Sequence, residues 1–284
     1  MGVRPLDSGR WVEPSHMLAE RVLRKRELIA TRRDQVTQVI HDPDGTVEDA
    51  SAELRDLLTE HLLGHSPDLF REIATVPVRR VEVVEAHVVD FGDGSHPIEQ
   101  AGLLCETDWC LLLPDGSGAL VLAAASVCFP TRWVLADKLG KSVAAVHDPV
   151  SAYGSRLAGP VDRFMDRLGV GRPAWRLNWN LVDHPDLFQP TAGDPPEPPV
   201  TGADAGERGW LRVERQTFVR LPRSRAVVFG IEVHIDPLES ILGVPGAAAR
   251  LQSALANLPE RTVAEKGLGR IMDPVGAWLS AREA

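Results

Sequence analysis

Several residue groups in this chain have the types and spacing for chemistry. His61 and His65, in HLLGH, are four apart, as in a metal-binding helix pair. A zinc-protease helix needs a glutamate directly after the first histidine, and Leu62 stands there, so the pair reads as a helix edge. GVGRPA at 169–174 has the outline of a dinucleotide-binding glycine loop, but it follows a helical stretch rather than a strand. Pro173 would also fall where the next helix should begin, so the segment reads as a helix end. GxSxG does not occur, which leaves an elbow-type serine nucleophile unsupported. The cysteines are Cys105, Cys110 and Cys128, an odd set that forms neither a disulfide framework nor a four-thiolate cluster. Cys105 and Cys110, in CETDWC, straddle a strand start and read as buried thiols. His147 closes the apolar run SVAAV and precedes Asp148-Pro149. On the residues alone a core histidine outweighs a metal ligand at that position, with His184 and His234 as further candidate ligands.

The segment RVERQTFVRLP alternates as a strand does. Arg212, Glu214, Gln216, Phe218 and Arg220 then share one face, and Val213, Arg215, Thr217 and Val219 the other. A row of Arg, Glu, Gln and Arg is either a solvated face laced by cross-strand ion pairs or a polar site wall. RLNW places Arg176, Asn178 and Trp179 on a second strand, as core and turn elements or as pocket lining. Tyr153 is the single tyrosine.

Positioning these groups requires a frame of mixed elements. Residues 16–40 have helical periodicity, DPDGT at 42–46 is a turn, and VEDASAELRDLLTEHLL is a second helix with Asp49 or Ser51 as its cap. VRRVEVVEAHVVDF alternates and is rich in valine, as strands are. WCLLLPDGSGALVLAAASVCF reads as a hairpin about PDGSG. RWVLADKLGKSVAAV and PVDRFMDRL are predicted helices, the first interrupted by Gly140. The Pro- and Gly-rich stretch at about 191–209 is a surface loop, after which WLRVERQTFVRL and RAVVFGIEVHI form a strand pair ahead of a broken helical tail. This order gives an α+β fold with a sheet packed against helices on one side.

The chain has 284 residues, a formal net charge of −9 and only four lysines, Lys25, Lys138, Lys141 and Lys266. The acidic balance argues against nucleic acid and against an anionic membrane surface. No membrane-span-length apolar run and no signal-peptide core are visible, and Leu6 disfavours myristoylation at Gly2, so the expectation is a cytoplasmic protein.

CFPTRW (128–133), DKLGKSVAAVHDPVSAY (137–153), RLNWNL (176–181) and RVERQTFVRLPRSRAVVFGIEVHI (212–235) occur in an order and spacing that resemble the heme-dependent oxidative N-demethylase alpha-subunit family. The likeness spans about residues 100–235, and AEKG at 264–267 extends it. Three departures stand out: Thr131 where serine is usual, Ser151-Ala152 where Pro-Gly is usual, and Glu265 where tyrosine is usual. The resemblance implies a PAS-like antiparallel sheet cupping heme b, residues 76–235, with helical extensions at 1–75 and 236–284 of a single heme-binding domain. It implies His147 as the iron ligand, with Lys138, Lys141, Arg132, Arg176, Asn178 and Trp179 around the cofactor. Glu214 would hold an ammonium substrate and Arg220 would polarise oxygen; Arg215 takes that part if the register shifts, and Tyr153 would donate to substrate or to a heme carboxylate. The implied reaction is oxidation of a small amine with O2. Since the chain carries no nicotinamide or iron–sulfur signature, electrons would come from a separate flavin/iron–sulfur reductase. The competing readings are a heme-based gas sensor on the same scaffold, and a heme oxidase acting on another nitrogen-containing metabolite of a biosynthetic pathway.

Overall fold

The structure, a computed structural model, describes residues 2–146 and 158–282. The chain divides into two compact units. Unit 1 comprises Met1–Pro130, Val134–Arg176 and Arg215–Glu232; unit 2 comprises Thr131–Trp133, Leu177–Glu214 and Val233–Ala284. The architecture is α+β, with a seven-stranded sheet in the order β1-β8-β9-β10-β6-β7-β2. Its strands are β1 (Arg4–Pro5), β2 (Thr37–Val39), β6 (Asp108–Pro114), β7 (Leu120–Ser126), β8 (Ala174–Val182), β9 (Trp210–Arg220) and β10 (Val227–Pro237). A separate three-stranded sheet is made by β3 (Phe70–Ala74), β4 (Arg80–Val83) and β5 (His87–Asp90).

In unit 1, helix α1 (Leu18–Val36) buries Leu18, Val22, Lys25, Leu28 and Ile29, the three-and-four spacing of one helix face. That spacing puts a lysine in the middle of an apolar stripe. The Lys25 ammonium is fully buried and lies 3.1 Å from the equally buried Asp108 carboxylate. It also donates to the carbonyls of Cys105 (3.2 Å) and Thr107 (2.5 Å). Burial works against its charge, but the carboxylate leads the opposing influences, and the Lys25 pKa ends above its ordinary value. Asp108 in turn accepts from the backbone N–H of Cys128 (3.0 Å) and Phe129 (2.7 Å). Both charges are thus hydrogen-bonded, the condition under which a buried ion pair persists.

The sequence-predicted helix over 16–40 ends early. Arg32 leaves helical geometry, and 37–39 pairs antiparallel with β7 as β2. Helix α2 (Thr46–His65) is capped neither by Asp49 nor by Ser51 but from further upstream: the Asp42 carboxylate accepts from Val47 N–H (2.7 Å) and Glu48 N–H (3.0 Å). Helix α3 (Pro97–Leu104) was not expected from the sequence; its apolar run is short, and its cap is His96, whose Nδ1 accepts from Ile98 N–H at 3.2 Å. Gly102 of α3 sits so close to β7 that a Cβ would lie 2.1 Å from Ser126 Oγ. The hairpin about PDGSG is present as β6 and β7, its turn held by Asp115 accepting from Ser117 N–H at 2.8 Å. The predicted helix over 132–146 reduces to α4 (Val143–Val146). Gly140 there has φ 71° and bonds back to Leu122 of β7, which diverts the chain from helix. Helix α5 (Ala158–Arg167) follows as expected. Leu54, Leu58, Leu62, Phe70, Val81, Val83, Leu104 and Trp109 are among the buried residues of the unit's core.

Unit 2 has its own core, with Leu181, Leu238, Ile271, Val275, Trp278 and Leu279 buried together. Its helices are α6 (Ala205–Arg208), α7 (Ala247–Ala256), α8 (Glu260–Glu265) and α9 (Met272–Ser280). The broken helical tail is therefore as expected. Strands β8, β9 and β10 contribute residues to both units. No helix among the described residues is long and apolar enough to cross a membrane.

Two stability predictions follow from unit 1. Lys25→Met strands the Asp108 carboxylate without its ammonium and should cost about 3–5 kcal/mol in urea denaturation; an unchanged midpoint would contradict the pair's role. His87 is pushed down from 6.5 to about 4 by burial first and the nearby Arg26 second. The folded chain therefore disfavours protonated His87, so its contribution is complete above pH 6.5 and declines as pH falls from 6.5 toward 4. The decline should be about 2–3 kcal/mol in wild type and flattened in His87→Phe, measured by denaturation at several pH values; equal slopes in both proteins would refute the assignment.

Candidate functional site

In unit 2, the strand β9 residue Glu214 is the centre of a hydrogen-bonded group. It is 8% exposed, and Arg212, two residues earlier, is 1% exposed. Buried polar groups of this kind need partners, and the segment at Thr131 and the strand β8 supply them. Glu214 Oε1 accepts from Thr131 Oγ1 at 2.6 Å, and Oε2 accepts from Asn178 Nδ2 of β8 at 3.2 Å. Thr131 Oγ1 accepts from Arg212 Nε at 2.8 Å. A guanidinium can only donate, so the threonine hydroxyl must accept there, and its one proton is left to point at Glu214. The other Arg212 nitrogens donate to the carbonyls of Asp186 (3.2 Å) and Leu187 (3.0 Å), holding the loop after β8.

Behind Asn178 stands Lys266. Its Nζ donates to Asn178 Oδ1 at 3.1 Å and to the Trp179 carbonyl at 2.6 Å, and it lies 5.3 Å from the centre of the Trp179 ring. The Lys266 carbonyl is itself pinned by Arg132 (2.9 Å) and by Asn180 Nδ2 (3.0 Å). Gly267, at φ 61°, lets Arg132 approach: a Cβ there would be 2.2 Å from the guanidinium. Arg132 also donates to the Gly267 carbonyl, and its backbone has φ 58°. Burial lowers the Arg132 pKa, with Asp183 opposing and Arg270 adding to the effect. Its Nε–H is buried with no acceptor among the described residues.

The remaining sequence-derived candidates are placed as follows. His147 and Tyr153 lie outside the described residues. In unit 1, Arg176 Nε donates to Gln216 Oε1 at 2.6 Å. Arg215 binds the Trp11 carbonyl (3.1 Å), Glu13 (2.9 Å) and Glu232 (3.5 Å), fastening the N-terminal segment. Arg220 donates to the carbonyls of Leu168 (2.7 Å), Met165 (2.6 Å) and Arg225 (2.7 Å), which satisfies the end of α5. Lys138 is half-buried, and burial first and Lys141 second lower its pKa; Lys141 is exposed. In unit 2, Trp179 is half-buried against the core, His234 is half-buried on β10, and His184 Nδ1 lies 3.7 Å from the Asp186 carboxylate. His61 and His65 stack on one another at 4.4 Å, and His61 Nε2 meets the backbone of Val12. Among the described residues no group of three or more His, Cys, Asp or Glu side chains is arranged to hold a metal ion.

A family model described as haem-dependent oxidative N-demethylase, alpha subunit-like, matches residues 2–276 of the 284. The chain belongs to this family. Heme dependence and oxidative chemistry therefore stand at the level of the family. The match covers both units, well beyond the stretch over which the motifs were legible. Of the residues in the Glu214 group, sequence reasoning names Glu214, Asn178, Arg132 and Trp179 as candidates. It assigns no role to Thr131, Arg212 or Lys266, although Thr131 and Lys266 lie in the motifs CFPT and AEKG.

Thr131→Val removes the hydroxyl that serves Arg212 and Glu214 together. It should destabilise the protein by about 1–3 kcal/mol, with Thr131→Ser close to wild type. Denaturant titration checks this, and a valine variant as stable as wild type would contradict the shared hydroxyl.

Proposed function

We propose that this protein is a heme-dependent oxidase that N-demethylates a small amine, using O2 and electrons from a separate flavin/iron–sulfur reductase in the cytoplasm. One O2, two electrons and two protons would convert the methylamine to the demethylated amine, formaldehyde and water. The whole chain acts as one heme-binding domain of PAS-like type, with heme b ligated by His147. When bound, the heme supplies electron storage and oxygen activation. The observation that carries the reading is the Glu214 carboxylate, buried on a strand and oriented by two donors that are themselves fixed. A carboxylate so held receives an ammonium group in one geometry, which is what positioning a substrate over a cofactor requires.

The residues present suit the cofactor in one further respect. The buried Nε–H of Arg132 has no acceptor among the described residues, and a heme propionate is the kind of carboxylate that satisfies such a donor. Lys138 and Lys141 add positive charge for the same purpose. Arg176, Asn178 and Trp179 would take cofactor-binding roles and Tyr153 would donate to substrate or propionate, as the family resemblance implies. Arg220 is fixed by three carbonyls, so its further N–H groups are oriented without reorganisation to polarise oxygen. Arg215, held by the N-terminal segment, takes the lesser part.

Glu214→Gln keeps the size but removes the charge and, because an amide nitrogen can only donate, one of the two hydrogen bonds that the carboxylate accepts. In the heme-loaded protein supplied with reductant, it should lower amine turnover at least about a hundredfold while the heme spectrum stays unchanged. Turnover close to wild type would overturn the role of Glu214, and loss of heme would assign the residue to cofactor retention instead.

A further inference from the structure

We infer that Lys266 is a positioning residue for amine capture, acting on Glu214 through Asn178; this rests on the reading that Glu214 receives the amine. The two ends of an asparagine amide are nearly the same size, and only their partners decide which end faces which way. Here Lys266 Nζ, which can only donate, takes Oδ1 at 3.1 Å, and the amide nitrogen is thereby turned to Glu214 Oε2 at 3.2 Å. The reversed amide would set an oxygen lone pair against the carboxylate and a donor against an ammonium. Lys266 itself is held in place: its Nζ is bonded to the Trp179 carbonyl at 2.6 Å, and its carbonyl accepts from Arg132 and Asn180. The cation therefore stands one hydrogen bond behind the carboxylate, polarising the amide that orients it.

Two effects of the ammonium on a bound amine oppose each other. Its field repels a second cation, while its grip on Asn178 fixes the carboxylate that attracts one. The ammonium is partly compensated by the Trp179 carbonyl and ring and by Oδ1, so we expect orientation to dominate. The two effects are separable, because the field does not depend on Asn178 and the orientation does.

The experiment is calorimetric titration of the heme-loaded protein with dimethylammonium, with no turnover required. Lys266→Met should weaken binding about five- to tenfold, Lys266→Arg should remain within about threefold of wild type, and Asn178→Ala should weaken binding to a similar degree as Lys266→Met. Adding Lys266→Met to Asn178→Ala should cause no further weakening and, with the repulsive field gone, some tightening. Should Lys266→Met not fold, Lys266→Gln, too short to reach Asn178, takes its place with the same expectations. Wild-type affinity in the Lys266 variant, or losses that multiply in the double variant, would overturn the inference while Glu214→Gln still abolished binding. If Glu214→Gln bound dimethylammonium as tightly as wild type, or wild type bound none, the reading of Glu214 itself would fall, and this inference with it.

Discussion

A carboxylate in the middle of a nearly buried strand must be given hydrogen-bond donors, and much of the candidate site is organised by that requirement at Glu214. Unpartnered, such a group costs more than folding can spare. Thr131 and Asn178 meet the need from two different segments, and each is directed by a cation behind it, Arg212 for the hydroxyl and Lys266 for the amide. The outcome is polarity with direction. Neither donor can reverse without leaving a cation's N–H unsatisfied, so the carboxylate is set before any ligand arrives. Preorganisation of this kind is what separates a binding group from a merely charged surface.

The arginines show how many structural duties one residue type takes on in this chain. Four of them lie on or beside the polar strand faces, yet their duties differ. Arg212 directs Thr131 and holds the loop carbonyls of Asp186 and Leu187, Arg215 fastens the N-terminal segment, Arg220 closes the end of α5, and Arg176 pairs with Gln216. Guanidinium groups make several bonds at once, so a single arginine can organise backbone that has no regular structure. The same economy appears in unit 1 at Lys25, where one buried ammonium serves a carboxylate and two carbonyls.

Much of the frame was legible in the sequence because periodicity reports burial. Leu54, Leu58 and Leu62 announced α2, the PDGSG turn announced the β6–β7 hairpin, and the alternation in RVERQTFVRL announced β9. The failures have local causes. Apolar residues continue past Arg32, so the change from helix to the short strand β2 leaves no mark in the pattern. In 132–146 helical spacing is present, but pairing of Gly140 and Leu122 beside β7 outweighs it. The cap of α2 comes from Asp42 because the hydrogen-bonded turn Asp42–Gly45 brings its carboxylate onto the helix start. At the site, Glu214 and Asn178 could be nominated from strand alternation. Lys266 could not be connected to them, since a contact between residues 88 positions apart leaves no periodic trace.

The central claim is that this chain seats heme through His147. Its most direct test is a titration of the purified protein with hemin, followed in the visible spectrum, alongside the His147→Ala variant. The account predicts a saturable Soret band at one heme per chain in wild type, with the band shifted or lost in the variant. A wild-type protein that takes up no heme, or a variant whose spectrum is indistinguishable from wild type, would contradict it.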